Sequence, residues 1–216
     1  MIVVVGHPLA VESGGRYEPA GSAALAALEA ARLGAQVQLV GKIGDDDLGD
    51  AVIVGLGRAG VGHAALLRDP SRRTPLLVTD PADEERVAGQ EASGEASQPT
   101  DTGLRPTVEA ADIELGLRYL TDYRCILVAE PLARQVVAVA ADAAIYAGAQ
   151  LIVVVDEPSS LPELPAGALV IGASDMDPRG AFAALLGQVA AAVDAGATPE
   201  AAFESAAGRL GATRPA

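Results

Sequence analysis

Aromatic, sulfur and basic side chains are scarce in this 216-residue chain: it has no tryptophan, 2 phenylalanines, 4 tyrosines, 1 cysteine and 2 histidines. One cysteine excludes a disulfide framework, so the fold must rest on a hydrophobic core. Cys125 opens the apolar run Cys125-Ile126-Leu127-Val128 and reads as a small buried hydrophobe rather than a nucleophile. With only His7 and His63 beside it, no zinc site of the usual Cys/His kind can be assembled, and no metal ligands are assigned. Lys and Arg number 15 against 29 Asp and Glu, for a formal charge of -14. Such a surface opposes nucleic acids and anionic membranes as partners, and any anionic ligand needs a local site. No apolar run approaches the roughly 20 residues that span a bilayer. The start, Met1-Ile2-Val3-Val4-Val5-Gly6, lacks a basic region and a small-residue cleavage site, so a cytoplasmic location is expected.

What the chain does have is hydrophobic residues, 50% of the total, enough for the core of a single domain over 1–216. Short β-branched runs at Val3 to Val5, Val37 to Val40, Cys125 to Ala129, Leu151 to Val155 and Leu169 to Ile171 read as buried parallel strands. Between and after them, Ser22 to Leu33, Leu48 to Ala59, Val108 to Leu120, Leu132 to Ala147, Ala181 to Ala195 and Pro199 to Leu210 carry helical patterns rich in alanine. The alternation predicts an α/β fold whose parallel sheet is covered by helices. Gly34, Gly60 and Gly148 mark helix ends, and Thr198-Pro199 marks a start.

The rhythm breaks over 62–106, read as a lid and excursion. Thr74 to Asp80 is extended and apolar, whereas Pro81 to Pro106 is polar, with little to bury. The densest local signal is Leu39-Val40-Gly41-Lys42-Ile43-Gly44-Asp45-Asp46-Asp47-Leu48-Gly49-Asp50. It reads as a strand ending in a glycine turn, with an aspartate capping the next helix. No EF-hand spacing accompanies these carboxylates, so the cap and solvated turn are preferred to a metal site.

The stretch Ala30 to Gly49, followed by Gly60-Val61, resembles the N-terminal signature of the ribokinase-like (PfkB) carbohydrate kinase family, in order and spacing. Ala129-Glu130-Pro131 resembles the family segment that turns a Glu toward the sugar, and Phe182 through Ala202 to Arg214-Pro215 resembles its terminal helices. The resemblance implies a three-layer αβα sandwich with a small β lid. It also implies transfer of the ATP γ-phosphoryl group, with Mg2+, to a hydroxymethyl group of a sugar or nucleoside. Gly21 and Glu130 are then the substrate-binding candidates.

Several family positions are altered. The family's acidic residue after the first strand falls at Val11, and the Asn of its glycine-rich segment falls at Leu25. The family's Asp-Thr-x-Gly-Ala-Gly-Asp motif corresponds to Ser174-Asp175-Met176-Asp177-Pro178-Arg179-Gly180. Its glycines supply backbone donors for the developing phosphoryl charge, and its last Asp deprotonates the hydroxyl. Aligned on Phe182, that Asp falls at Gly180, and Pro178 removes an N–H from the anion hole. Asp175 and Asp177 remain as candidate bases, and Arg179 with Gly180 as candidate anion contacts. The chain is also short for the family, because the length that builds much of the nucleotide pocket is missing between Val155 and Leu169.

Three functions follow: a degenerate homologue that binds a small ligand or a partner; an ATP-dependent kinase with an unusual site; or a structural domain without ligand. ATP and Mg2+ belong only to the second. The apolar run Thr74 to Thr79 suggests a homodimer through the lid, with Leu76 and Val78 across the interface.

Overall fold

The computed structural model describes residues 1–77, 105–157, 161–173 and 180–212. In chain order the elements are β1 (Ile2–Val5), β2 (Leu9–Ser13), β3 (Arg16–Ala20), α1 (Gly21–Arg32), β4 (Val37–Gly44), α2 (Asp47–Arg58), β5 (Val61–Gly62), β6 (Leu66–Asp69) and β7 (Leu76–Leu77). They continue as α3 (Ala110–Arg118), β8 (Cys125–Val128), α4 (Arg134–Ala147), β9 (Gln150–Val155), β10 (Leu169–Gly172), α5 (Ala181–Asp194) and α6 (Pro199–Ala212).

The main sheet has the order β10-β9-β8-β1-β4-β5, and β6 runs beside the far end of β4. Every pairing in it is parallel. Side chains alternate between its two faces, as the strand period of two requires. Ile2, Val4, Leu39, Cys125, Leu127, Ile152 and Val154 enter a core with α1, α5 and α6. Val3, Val5, Val40, Ile126, Val128, Leu151 and Val153 enter a second core with α3 and α4. Residues buried on both sides explain why these strands read as continuous apolar runs. The architecture is thus the expected α/β sandwich with an additional small sheet.

Helices α1 and α5 lie unusually close. A Cβ on Gly187 would stand 2.5 Å from the Ala26 carbonyl oxygen, so the alanine surface of α1 meets bare backbone on α5. Among the described residues no helix is long and apolar enough to cross a membrane.

The small sheet has the order β3-β2-β7. β2 and β3 form an antiparallel hairpin, Leu9 opposite Ala20 and Ser13 opposite Arg16. Its two turn residues, Gly14 and Gly15, both have positive φ, 56° and 75°, which suits the tight turn between right-twisted strands. β7 joins β2 in parallel, Ala10 opposite Leu76. Within the stretch expected to form the lid, β6 instead joins the main sheet and Leu76–Leu77 enters the small one. Leu76 is partly buried and packs against the chain's own core; Val78 lies outside the described residues.

Candidate functional site

In an open parallel sheet, ligands bind beyond the carboxyl ends of the strands. At that end β1 stops at Gly6-His7 and the neighbouring β8 stops at Ala129-Glu130. One carboxylate oxygen of Glu130, Oε1, accepts from the His7 backbone N–H at 2.6 Å and meets His7 Nδ1 at 2.6 Å. The other ring nitrogen, Nε2, accepts the Val108 backbone N–H at 3.0 Å. An imidazole nitrogen that accepts carries no proton, so the proton sits on Nδ1 and is donated to Glu130. His7 therefore joins three segments: the end of β1, the end of β8 and the approach to α3. The pair is three-quarters buried, with side-chain exposures of 24% and 23%. Both bonds use Oε1.

Gly6 makes the approach possible. A Cβ there would lie 2.7 Å from Ala23 Cβ and 3.1 Å from Glu130 Oε1. Gly21 opens α1 with φ 83°, and its Cβ position is closed off by Leu9 Cγ at 2.8 Å and the His7 carbonyl oxygen at 3.3 Å. Gly21 and Glu130 are thus brought to the same end of the sheet, both beside His7. Sequence reasoning missed His7, whose only signal was its place directly after the first strand.

Gly180, with φ 67°, precedes α5, and a Cβ on it would stand 2.7 Å from Leu25 Cδ1. The N-cap residues Ala20 of α1 and Gly180 of α5 supply no side-chain cap of their own. Asp175, Asp177 and Arg179 lie outside the described residues. Val11 sits in β2 opposite Glu18 of β3, so the two side chains share one face of the small sheet.

The aspartate-rich turn is a structural clamp. Asp46 caps α2 by accepting the Gly49 N–H at 2.8 Å, and its second oxygen accepts the Thr74 N–H at 2.9 Å. The Thr74 hydroxyl accepts the Gly44 N–H at 3.1 Å and bonds to the Asp46 carboxylate. Partial burial opposes the Asp46 charge, but the Thr74 hydroxyl, the Gly49 and Thr74 N–H groups and nearby Arg73 outweigh it and hold the carboxyl below its ordinary value. Cys125 is fully buried in β8, where desolvation pushes its thiol up to about 12.

A cavity of about 360 Å³ opens at the ends of β8 and β9, lined by Pro131, Leu132, Arg134, Val137, Asp156 and Leu161 among others. Arg134 donates to the Leu161 carbonyl oxygen across it. It lies on the α4 face of the sheet, whereas Leu25 and Gly180 lie on the α1 and α5 face.

The profile of the pfkB family carbohydrate kinases matches residues 6–175. The chain belongs to that family. The match in this pfkB-family chain includes the His7–Glu130 pair and the Asp46 clamp and ends at Asp175, short of Gly180. A search among curated proteins finds no match. Among solved structures it is similar to aminoimidazole riboside kinase from Salmonella enterica, with 15% identity and a TM-score of 0.64 over 95% of this chain and 88% of that one. It is also similar to an uncharacterized sugar kinase from Pyrococcus horikoshii, with 16% identity and a TM-score of 0.54 over 74% of this chain and 56% of the other. For fructokinase from Vibrio cholerae, bound to fructose, ADP and calcium ion, the values are 18%, 0.52, 71% and 50%. This chain thus spans only about half the length of the latter two kinases.

Proposed function

We propose that this pfkB-family chain binds a small hydroxylated ligand, of the sugar or nucleoside class, at the carboxyl end of its sheet and does not transfer phosphoryl to it. The observation that carries the proposal is the contact between Leu25 and Gly180. At the position aligned with the family's base there is no side chain, and the space such a side chain would enter is filled by an aliphatic one. Glycine cannot take a proton from a hydroxyl, and Leu25 offers no hydrogen bond in place of the family's Asn. These residues do not suit phosphoryl transfer from ATP with Mg2+.

Retention of a binding role is supported by Glu130. A carboxylate fixed through one oxygen at the carboxyl end of the sheet, and still 23% exposed, has acceptor capacity left for the hydroxyls of a polyol. The strong negative charge of the chain disfavours nucleotide phosphates, and the length expected to build the nucleotide pocket is missing.

The test combines turnover with binding. Incubation with ATP, Mg2+ and a panel of sugars and nucleosides is expected to give no phosphorylated product. Calorimetry on the same panel is expected to find a ligand whose affinity falls about tenfold or more in Glu130→Gln, the loss of one charge-assisted hydrogen bond. Robust Mg2+-dependent turnover abolished by Asp175→Asn or Asp177→Asn would establish the kinase instead. No binding by any member of the panel would leave a structural domain.

A further inference from the structure

The two edges of the main sheet are built differently. At one edge β5 contributes only Val61–Gly62 and β6 takes over beside β4, which leaves a short, interrupted border. At the other edge β10 pairs with β9 along Leu169 to Gly172, and among the described residues nothing pairs with its outer side. The Ala173 N–H donates to the Val155 carbonyl at 2.7 Å. Backbone groups alternate along a strand, so Leu169 and Ile171 also point to β9, and the N–H and C=O of Val170 and Gly172 point away from the sheet.

Such an edge is a template for another strand, and proteins usually blunt it with a charge, a proline or a bulge. The segment Ala168-Leu169-Val170-Ile171-Gly172-Ala173 contains none of the charged residues or prolines. Leu169 and Ile171 pack into the core beneath α5 and α6, while Val170 on the opposite face is 37% exposed.

Gly172 adds an independent indication. Its φ is not positive, and a Cβ on it would meet nothing within 4 Å among the described residues. Glycine in a strand lowers stability and marks places where another backbone or ligand comes close. Nothing described within this chain comes close to it.

We propose that β10 pairs antiparallel with β10 of a second copy, about a two-fold axis through Ile171. In that register Val170 of each copy stands opposite Gly172 of the other, and each pair exchanges both of its outward hydrogen bonds. Paired residues share a face, so each Val170 side chain lies over the partner's bare Gly172 position and both acquire a role. A second copy is the occupant because the sequence of this edge is self-complementary under a two-fold, and such an isologous contact closes at two subunits. Charge favours the same edge: two chains of net charge -14 repel, and here they meet through residues without charge. The edge is also where the family resemblance places the missing length, ahead of Leu169.

Light scattering and sedimentation of the full chain over a micromolar concentration series test the proposal. The wild type is expected to be a dimer, and Val170→Lys, Val170→Pro and Gly172→Pro, the prolines removing outward N–H donors, are expected to halve the mass while leaving the far-ultraviolet spectrum unchanged. Leu77→Asp, in the small sheet, is expected to remain dimeric. Hydrogen exchange on the wild type needs no variant: the Val170 and Gly172 amides should become protected as concentration rises. A wild-type monomer at hundreds of micromolar overturns the proposal, as does a dimer that persists in all three edge variants. So does a dimer lost in Leu77→Asp, which would place the interface on the small sheet.

Discussion

Leu25 on α1 and Gly180 ahead of α5 are in direct opposition: the position of a Cβ on Gly180 lies 2.7 Å from Leu25 Cδ1. In the proposed function these are the positions aligned with the family's Asn and base, far apart in the chain yet adjacent in space. On that proposal they are one coupled change, in which loss of a side chain at one place accompanies an aliphatic side chain at the other.

Reintroducing an acid at residue 180 tests that coupling. Gly180→Asp places an L-residue at φ 67°, at a cost of about 1 kcal/mol, and adds the overlap with Leu25. We expect a loss of roughly 2 kcal/mol in urea unfolding, and recovery of about 1 kcal/mol when Leu25→Ala is combined with it. Strictly additive effects of the two substitutions would show that the side chains do not interact.

At the other side of the site, the bond from the Val108 N–H to His7 Nε2 fixes the imidazole tautomer. Long-range nitrogen–proton correlation spectra should show His7 protonated at Nδ1 and bare at Nε2. His7→Ala, which leaves the Val108 donor and a carboxylate oxygen short of partners, should cost about 1–3 kcal/mol. A spectrum with the proton on Nε2 would contradict the geometry.

Asp46 should leave a signature in acid. Its folded-state carboxyl titrates below the ordinary aspartate value of about 4, so its ionised form adds stability at every pH above that value. As pH falls below about 4 and through the folded-state value, that contribution disappears. Asp46→Asn keeps a capping oxygen but not the charge, so it should be less stable than wild type by about 1 kcal/mol at pH 7, with the gap narrowing toward pH 3. A gap of constant size across that range would show that the charge of Asp46 plays no part.

Burial that pushes the Cys125 thiol up to about 12 makes it inert in the native state. Disulfide reagents at pH 8 should modify Cys125 only as fast as the protein unfolds, and completely in denaturant. Rapid labelling of the folded chain would mean that β8 is not held as described.

The central strands and the helices were legible because burial on both faces writes continuous apolar runs and because alanine-rich helices end at glycines. Gly148, for example, does take the left-handed conformation that ends α4. The β2–β3 hairpin was not read. Its strands carry Glu12, Glu18 and Pro19 and bury few residues, although Gly14-Gly15 between them is itself a hairpin signal. Likewise β5 has only two residues and β6 carries Arg68 and Asp69 in place of an apolar run, whereas β7 falls within the run from Thr74 that reads as extended. At the site, Glu130 was visible through the family resemblance. His7 was not, because its role depends on Val108, 101 residues away, which only the folded chain brings to it.

The same bond sets the terms on which the polar stretch between β7 and α3 can change. On one side the chain is fastened where Leu76 pairs with Ala10, and on the other where Val108 is held by His7, three residues before Ala10 in sequence. Both moorings thus belong to one short piece of the N-terminal chain, so Leu76 and Val108 share a single support, and a displacement of residues 7–10 would loosen both at once, whatever sequence joins them.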